Sequence, residues 1–145
     1  WLAGHELALH DALGDKLMLF GEWLAATHSI AYDRLPDFFL LFDVYDRSTQ
    51  RFWSTVRRNA LAERLGLSVI RSLGAGHFKL AEVRRKVLES SSAYHQGACE
   101  GIYLRREDDD WLLARAKLIH PDFAQSIAEH WRSRTLRWNK VGQAA

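Results

Sequence analysis

Four short apolar runs in this chain each carry charge in their middle: Glu22 in LFGEWL, Asp43 in LLFDVYD, Glu100 in CEGIYLR, and Arg115 with Lys117 in LLARAKLI. Runs of this length and aromatic or branched character, bounded by turn residues, have the signature of strands that cross a core. A charge inside such a strand is costly unless a ligand, a metal ion or a charged partner meets it. Strand side chains alternate between faces, so Arg115 and Lys117 share one face, while Ala114, Ala116 and Leu118 are expected to pack on the other. Gly21 and Gly101 each adjoin a carboxylate, and the missing Cβ would let a planar ligand or a phosphate approach the backbone. Two carboxylates, two cations and neighbouring aromatics suit a nucleotide with its metal ion.

The pattern between these runs predicts the other elements. Leu2, Leu7, Leu9 and Leu13 form a rough helical stripe closed by Gly14-Asp15. Strands are expected over 16–25 and 36–45, then a turn at Asp46 to Thr49 and a returning strand at Gln50 to Trp53. Ser54 is placed to cap a helix that carries Val56, Ala60, Leu61 and Leu65 on one face and stops at Gly66. A short strand at 67–70, a glycine-rich turn at 74–76 and a second amphipathic helix from about Leu80 to Leu88 follow. Gly101 to Arg105 and Trp111 to Ile119 read as a hairpin around the acidic stretch Glu107 to Asp110, which is expected to be a solvated tip. Pro121 opens a last helix containing Phe123, Ile127 and Trp131. Hairpins with irregularly interleaved helices predict an α+β fold with mostly antiparallel sheets rather than a doubly wound parallel one.

With 145 residues, 48% of them hydrophobic, one domain spanning 1–145 is expected. Twenty Lys and Arg against 18 acids give a formal charge of only +2, so bulk charge does not drive any nucleic-acid binding and the site must be local. The single Cys99 excludes an internal disulfide framework and fits a reducing compartment, so a cytoplasmic location is expected. No apolar run approaches the roughly 20 residues of a membrane helix. The seven histidines show no HxxxH or Cys-His spacing of the kind that holds zinc.

FGEW, FDVYD, EGIYLR and RAK occur in this order and at separations that resemble motifs III, IIIa, IV and V of the covalent nucleotidyltransferases. Within that superfamily, HSIAYDRLPDFFLLFDVYD and ARAKLIHPDF look like the ATP-dependent RNA ligases, including the ligase modules of bacterial RNA repair systems. The resemblance spans nearly the whole chain. It implies a nucleotidyltransferase fold and an enzyme that uses ATP and Mg²⁺ or Mn²⁺ to join RNA 5′-phosphate and 3′-hydroxyl ends. It implies that Glu22 contacts the ribose hydroxyls, that Phe42 stacks on adenine, and that Glu100 holds the divalent metal or its water. Arg115 and Lys117 would bind the phosphates. The family usually has lysine at both positions of the last motif, and Arg115 keeps the charge without the point-like ammonium.

Motif I, KxDG or KxxG, which supplies the adenylate-accepting lysine, is absent from these residues. Only 21 residues precede Glu22, and the chain opens on Trp1, so the domain is expected to be N-terminally incomplete and this chain inactive by itself. The other readings are a noncatalytic nucleotide- or RNA-binding remnant and a related DNA ligase or capping enzyme. Phe42 shares its parity with Phe38 and Leu40, so core packing stands beside stacking. Arg132, Arg134, Arg137 and Lys140, set among Trp131 and Trp138, read equally as an RNA-binding tail or as a solvated helix end.

Overall fold

A computed structural model describes residues 1–28, 30–125 and 136–142 of the chain. Among the described residues, nine elements follow one another: α1 (Leu2–Leu13), β1 (Leu17–Trp23), β2 (Phe39–Asp46), β3 (Arg51–Phe52), α2 (Thr55–Leu65), α3 (Leu80–Glu89), β4 (Gly101–Glu107), β5 (Leu112–Ile119) and α4 (Pro121–Gln125). The fold is α+β, with a three-stranded sheet in the order β1-β2-β3, a two-stranded sheet of β4 and β5, and flanking helices. The β2–β3 pair is antiparallel, with Tyr45 opposite Phe52 and Asp46 opposite Arg51. Among the described residues, no helix is long and apolar enough to cross a membrane.

The chain gathers into two compact units. The first contains Trp1–Glu22, Phe39–Ile70 and Arg105–Ala114. Its core is Leu41, Val44, Leu61, Ala62 and Leu67, flanked by Trp1, Leu9, Leu17, Leu19 and Phe39. Fully burying a leucine contributes about 1.5–3 kcal/mol, so this cluster accounts for much of what holds α1 and α2 to the sheet. Local signals set the helix ends. Ser54 accepts from the Arg57 amide as the α2 cap, and Gly66, at φ 63°, closes the same helix in the left-handed region. In the turn after β2, the Asp46 carboxylate accepts from the amides of Ser48 and Thr49 at 2.9 and 3.2 Å. The stretch expected as a strand at 67–70 is not one. Val69 makes a single parallel bridge to Leu41, because the Leu41 amide donates to Ser68 and its carbonyl accepts from Ile70 before the chain turns away.

The second unit contains Trp23–Phe38, Arg71–Leu104 and Arg115–Ala145. Val83 and Val87 bury the inner face of α3, and Ile102 is buried on β4. The segment 136–142, where a basic tail is expected to thin out, is instead sewn to the loop after β1. Asn139 is 4% exposed. Its side-chain carbonyl accepts from the Thr27 hydroxyl at 2.7 Å and the Tyr32 amide at 2.9 Å. Its amide donates to the carbonyls of Leu24 and Ala26 at 2.9 and 3.2 Å. Backbone bonds from Asn139 to Ala25, Lys140 to Tyr32 and Gly142 to Leu35 continue the seam.

Asn139→Ala removes four side-chain hydrogen bonds and leaves two buried carbonyls and two donors without this partner. At about 0.5–1.5 kcal/mol for each bond, the expected loss is roughly 2–6 kcal/mol in a urea titration. A loss below about 1 kcal/mol would mean that the seam does not depend on this side chain.

Candidate active site

In the first unit, Glu22 stands exposed near the end of β1, and Phe42 is half-buried on β2. Gly21 does not serve as an open approach for a ligand. A Cβ built there would lie 2.2 Å from the Phe39 ring and 2.9 Å from the Leu40 carbonyl, so the missing side chain lets β2 close against β1.

Asp43 is buried at 1% exposure, and its charge is met from within the chain. A partner is Arg105 of β4. Arg105 also binds Glu107 through Nε, donates from Nη2 to the Trp53 carbonyl at 2.8 Å and reaches the Phe42 carbonyl at 3.2 Å. Arg58 of α2, likewise buried, donates from Nη1 to the same Phe42 carbonyl at 2.8 Å. Glu107 in turn accepts from the Thr55 amide and hydroxyl, both at 2.9 Å. Two cations and two carboxylates therefore form a neutral quartet, as buried charges require.

Glu107 thereby leaves the acidic stretch in which the sequence placed it. The solvated tip is Asp108 to Asp110, where the Asp108 carboxylate accepts from the Asp110 and Trp111 amides at 3.0 and 2.6 Å. Arg57 stacks between Trp53 and Trp111 at 4.2 and 4.6 Å from the ring centroids and fixes this tip to α2. The quartet was missed by sequence reasoning, although Arg105 stands in EGIYLR. The available signal was the period-two placement of Arg105 and Glu107 on one face of β4.

In the second unit, Glu100 immediately precedes β4 and is half-buried. Its carbonyl accepts from the His120 amide at 2.8 Å, just beyond Lys117 on the paired strand. Glu100, Cys99, His120, Asp122, Phe123 and Ile30 border an open concavity of about 200 Å³. That is below the roughly 300 Å³ of a small-molecule pocket, so this hollow alone encloses less than a nucleotide. Gly101, like Gly21, admits chain rather than ligand: a Cβ there would lie 2.3 Å from the Leu118 carbonyl. Arg115 and Lys117 alternate to one face of β5, as expected. Ala114 and Ala116 do not pack beneath them, however, because the whole stretch from Leu113 to Lys117 is exposed.

Of the charged positions singled out in the apolar runs, Asp43 alone is fully buried, and its charge is met by a cation of the chain rather than by a ligand. Glu22 and Phe42 belong to the first unit, and Glu100, Arg115 and Lys117 to the second. Of the basic tail, Arg137 and Lys140 are exposed, and Arg132 and Arg134 lie outside the described residues. No group of three or more His, Cys, Asp or Glu placed to hold a metal ion occurs among the described residues.

The quartet carries a pH signature. Burial pushes the Glu107 carboxyl up, but the bonds from Arg105 and Thr55 outweigh this and hold it below its ordinary value of 4.5. A carboxylate depressed by folding stabilises the fold above its unfolded value, and that stability is lost as pH falls through the folded one. Urea midpoints should therefore fall as pH drops below about 4.5. Glu107→Gln should lower the midpoint at pH 7 and flatten this acid limb; an unchanged limb would show that Glu107 does not carry it.

The family model for RNA ligase matches residues 1–119, a range that includes the positions from Glu22 to Lys117 singled out in the sequence. No curated protein and no solved structure matches the chain. With the match covering most of the chain and an α+β fold of small antiparallel sheets around it, the protein belongs to the RNA ligase family.

Proposed function

We propose that the chain is the nucleotide-binding part of an ATP-dependent RNA ligase, which transfers AMP through an enzyme lysine to an RNA 5′-phosphate and then seals that end to a 3′-hydroxyl. The observation that carries this reading is the family match over residues 1–119, a range that contains the four motif-like stretches, which lie in order at β1, β2, β4 and β5. In the first step, the lysine amine attacks the α-phosphorus of ATP and pyrophosphate leaves. The RNA 5′-phosphate then takes AMP from the lysine, and attack by the 3′-hydroxyl forms the phosphodiester and releases AMP. None of Lys16, Lys79, Lys86, Lys117 and Lys140 lies in a KxDG or KxxG sequence, so the nucleophile is assigned to none of them.

Each remaining role is the one the family resemblance implies, and the chemistry of the residue suits it. Glu22, exposed and acceptor-only when ionised, suits the paired ribose hydroxyls. Phe42 offers a rigid ring to adenine. Arg115 and Lys117, exposed on one strand face, offset negative charge on the phosphates as pyrophosphate departs. Glu100 fits a magnesium ion held by one carboxylate together with substrate phosphates, a mode that needs no cluster of protein ligands. When bound, that ion would neutralise phosphate charge and orient the phosphates for in-line attack. Arg137 and Lys140 are proposed to contact the RNA backbone.

Full-length protein incubated with ATP labelled on its α-phosphate should form a covalent protein adduct that survives alkali and is released by acid, as the P–N bond of a lysine phosphoramidate is. Lys117→Ala should slow adduct formation by about 10²–10³-fold, the usual cost of one electrostatic contact to the transition state. Glu100→Ala should abolish the adduct. Binding of ATP without any adduct would make the protein a noncatalytic nucleotide binder. Sealing of nicked DNA in preference to RNA would move it to the related DNA ligases.

A further inference from the structure

We propose that Arg58 is a positioning residue for the nucleotide base: together with Arg105 it fixes the Phe42 peptide so that the Phe42 ring meets the base already oriented. The inference rests on the reading of Phe42 as the stacking residue and adds a residue outside the four motifs. Arg58 lies on the inner face of α2 beside Leu61 and Ala62, at 4% exposure, where a leucine or methionine would pack at less cost. Burial, and then the nearby Arg105 cation, depress its pKa against the pull of Asp43 and Glu107, so the position is electrostatically expensive.

That cost is spent on one backbone group. Nη1 donates to the Phe42 carbonyl at 2.8 Å, while Nε and Nη2 grip the Asn59 side-chain oxygen at 3.0 and 2.9 Å and set the plane of the guanidinium. Arg105 brings a second cationic donor to the same carbonyl at 3.2 Å and binds the carboxylate of the next residue, Asp43. Hydrogen bonds from ionised donors are roughly twice as strong as neutral ones, so the Phe42–Asp43 backbone is held from α2 and from β4 at once. The Phe42 ring, half-buried on this backbone, then loses little further freedom when a base stacks on it, and preorganisation of this kind appears as affinity.

The test is calorimetric binding of ATP and of inorganic triphosphate, which lacks a base, to the wild type, Arg58→Met, Phe42→Ala and the double variant. Arg58→Met should weaken ATP by about 5-fold, as a coupling of ordinary size would, and leave triphosphate binding unchanged. In the Phe42→Ala background the same change should have no effect on ATP. Equal loss for both ligands, or the same loss with and without the Phe42 ring, would overturn the positioning role in favour of a structural one. If Phe42→Ala weakens ATP while Arg58→Met does not, the positioning role alone falls. If Phe42→Ala leaves ATP binding unchanged, stacking by Phe42 falls and the inference with it. Should Arg58→Met fail to fold, Arg58→Lys replaces it, since one ammonium cannot hold both the Phe42 carbonyl and the Asn59 side chain. It should show a smaller loss for ATP alone, and undiminished ATP affinity would overturn the proposal.

Discussion

The first unit depends on how Arg105 is met. This one guanidinium, mostly buried, binds Asp43 on β2, Glu107 on its own strand and the carbonyls of Phe42 and Trp53. Burial lowers its pKa, but the bonds to Glu107 and Asp43 win, so it stays firmly charged. Breaking a buried pair by removing one partner strands the other, at a cost of about 3–5 kcal/mol, well above what most apolar truncations at a surface cost. The two-residue β3 could not hold this region by ladder bonds alone. The quartet, the Ser54 contacts with the carbonyls of Asp109 and Asp110, and the stacking of Arg57 between two tryptophans together tie the hairpin tip to the start of α2.

What was legible in the sequence was local. The bounds of α1, α2 and α3 follow from apolar spacing and from stops such as Gly14 and Gly66, whose evidence lies within a few residues. The hairpin of β4 and β5 was legible for the same reason. Asn139 was not, because its partners Leu24, Ala26, Thr27 and Tyr32 lie more than a hundred residues away and nothing around WNK distinguishes a buried amide from a surface one. Arg105 and Asp43 are 62 residues apart in sequence, so the charge inside LLFDVYD could be seen but its partner could not.

The two glycines show how a correct local observation can support the wrong ligand. The sequence marks Gly21 and Gly101 as places of close approach, and both are. In each case, what approaches is another strand of the same unit: the Phe39 ring and Leu40 carbonyl at one, the Leu118 carbonyl at the other. An absent Cβ signals proximity without saying to what, and in a protein of small sheets with short strands, the neighbouring strand is already at about 4.8 Å.

Burial then separates two kinds of charge that look alike in the sequence. Asp43, Arg58, Arg105 and Glu107 are withdrawn from water and balance one another, so their charge is consumed by the fold. Glu22, Arg115 and Lys117 are exposed on strands, where holding a charge costs little and a polyanionic ligand can be met with little further desolvation. A phosphate-handling site needs this second kind, because a cation already neutralised by a buried carboxylate has little field left to offer a departing pyrophosphate. Under the proposed function, the ribose and phosphate roles fall on this exposed set. The base role proposed for Phe42 falls on a residue whose carbonyl is held by the buried set. Under the proposed function, the fold therefore uses its internal charges to fix where the base sits and leaves its external charges for the phosphates.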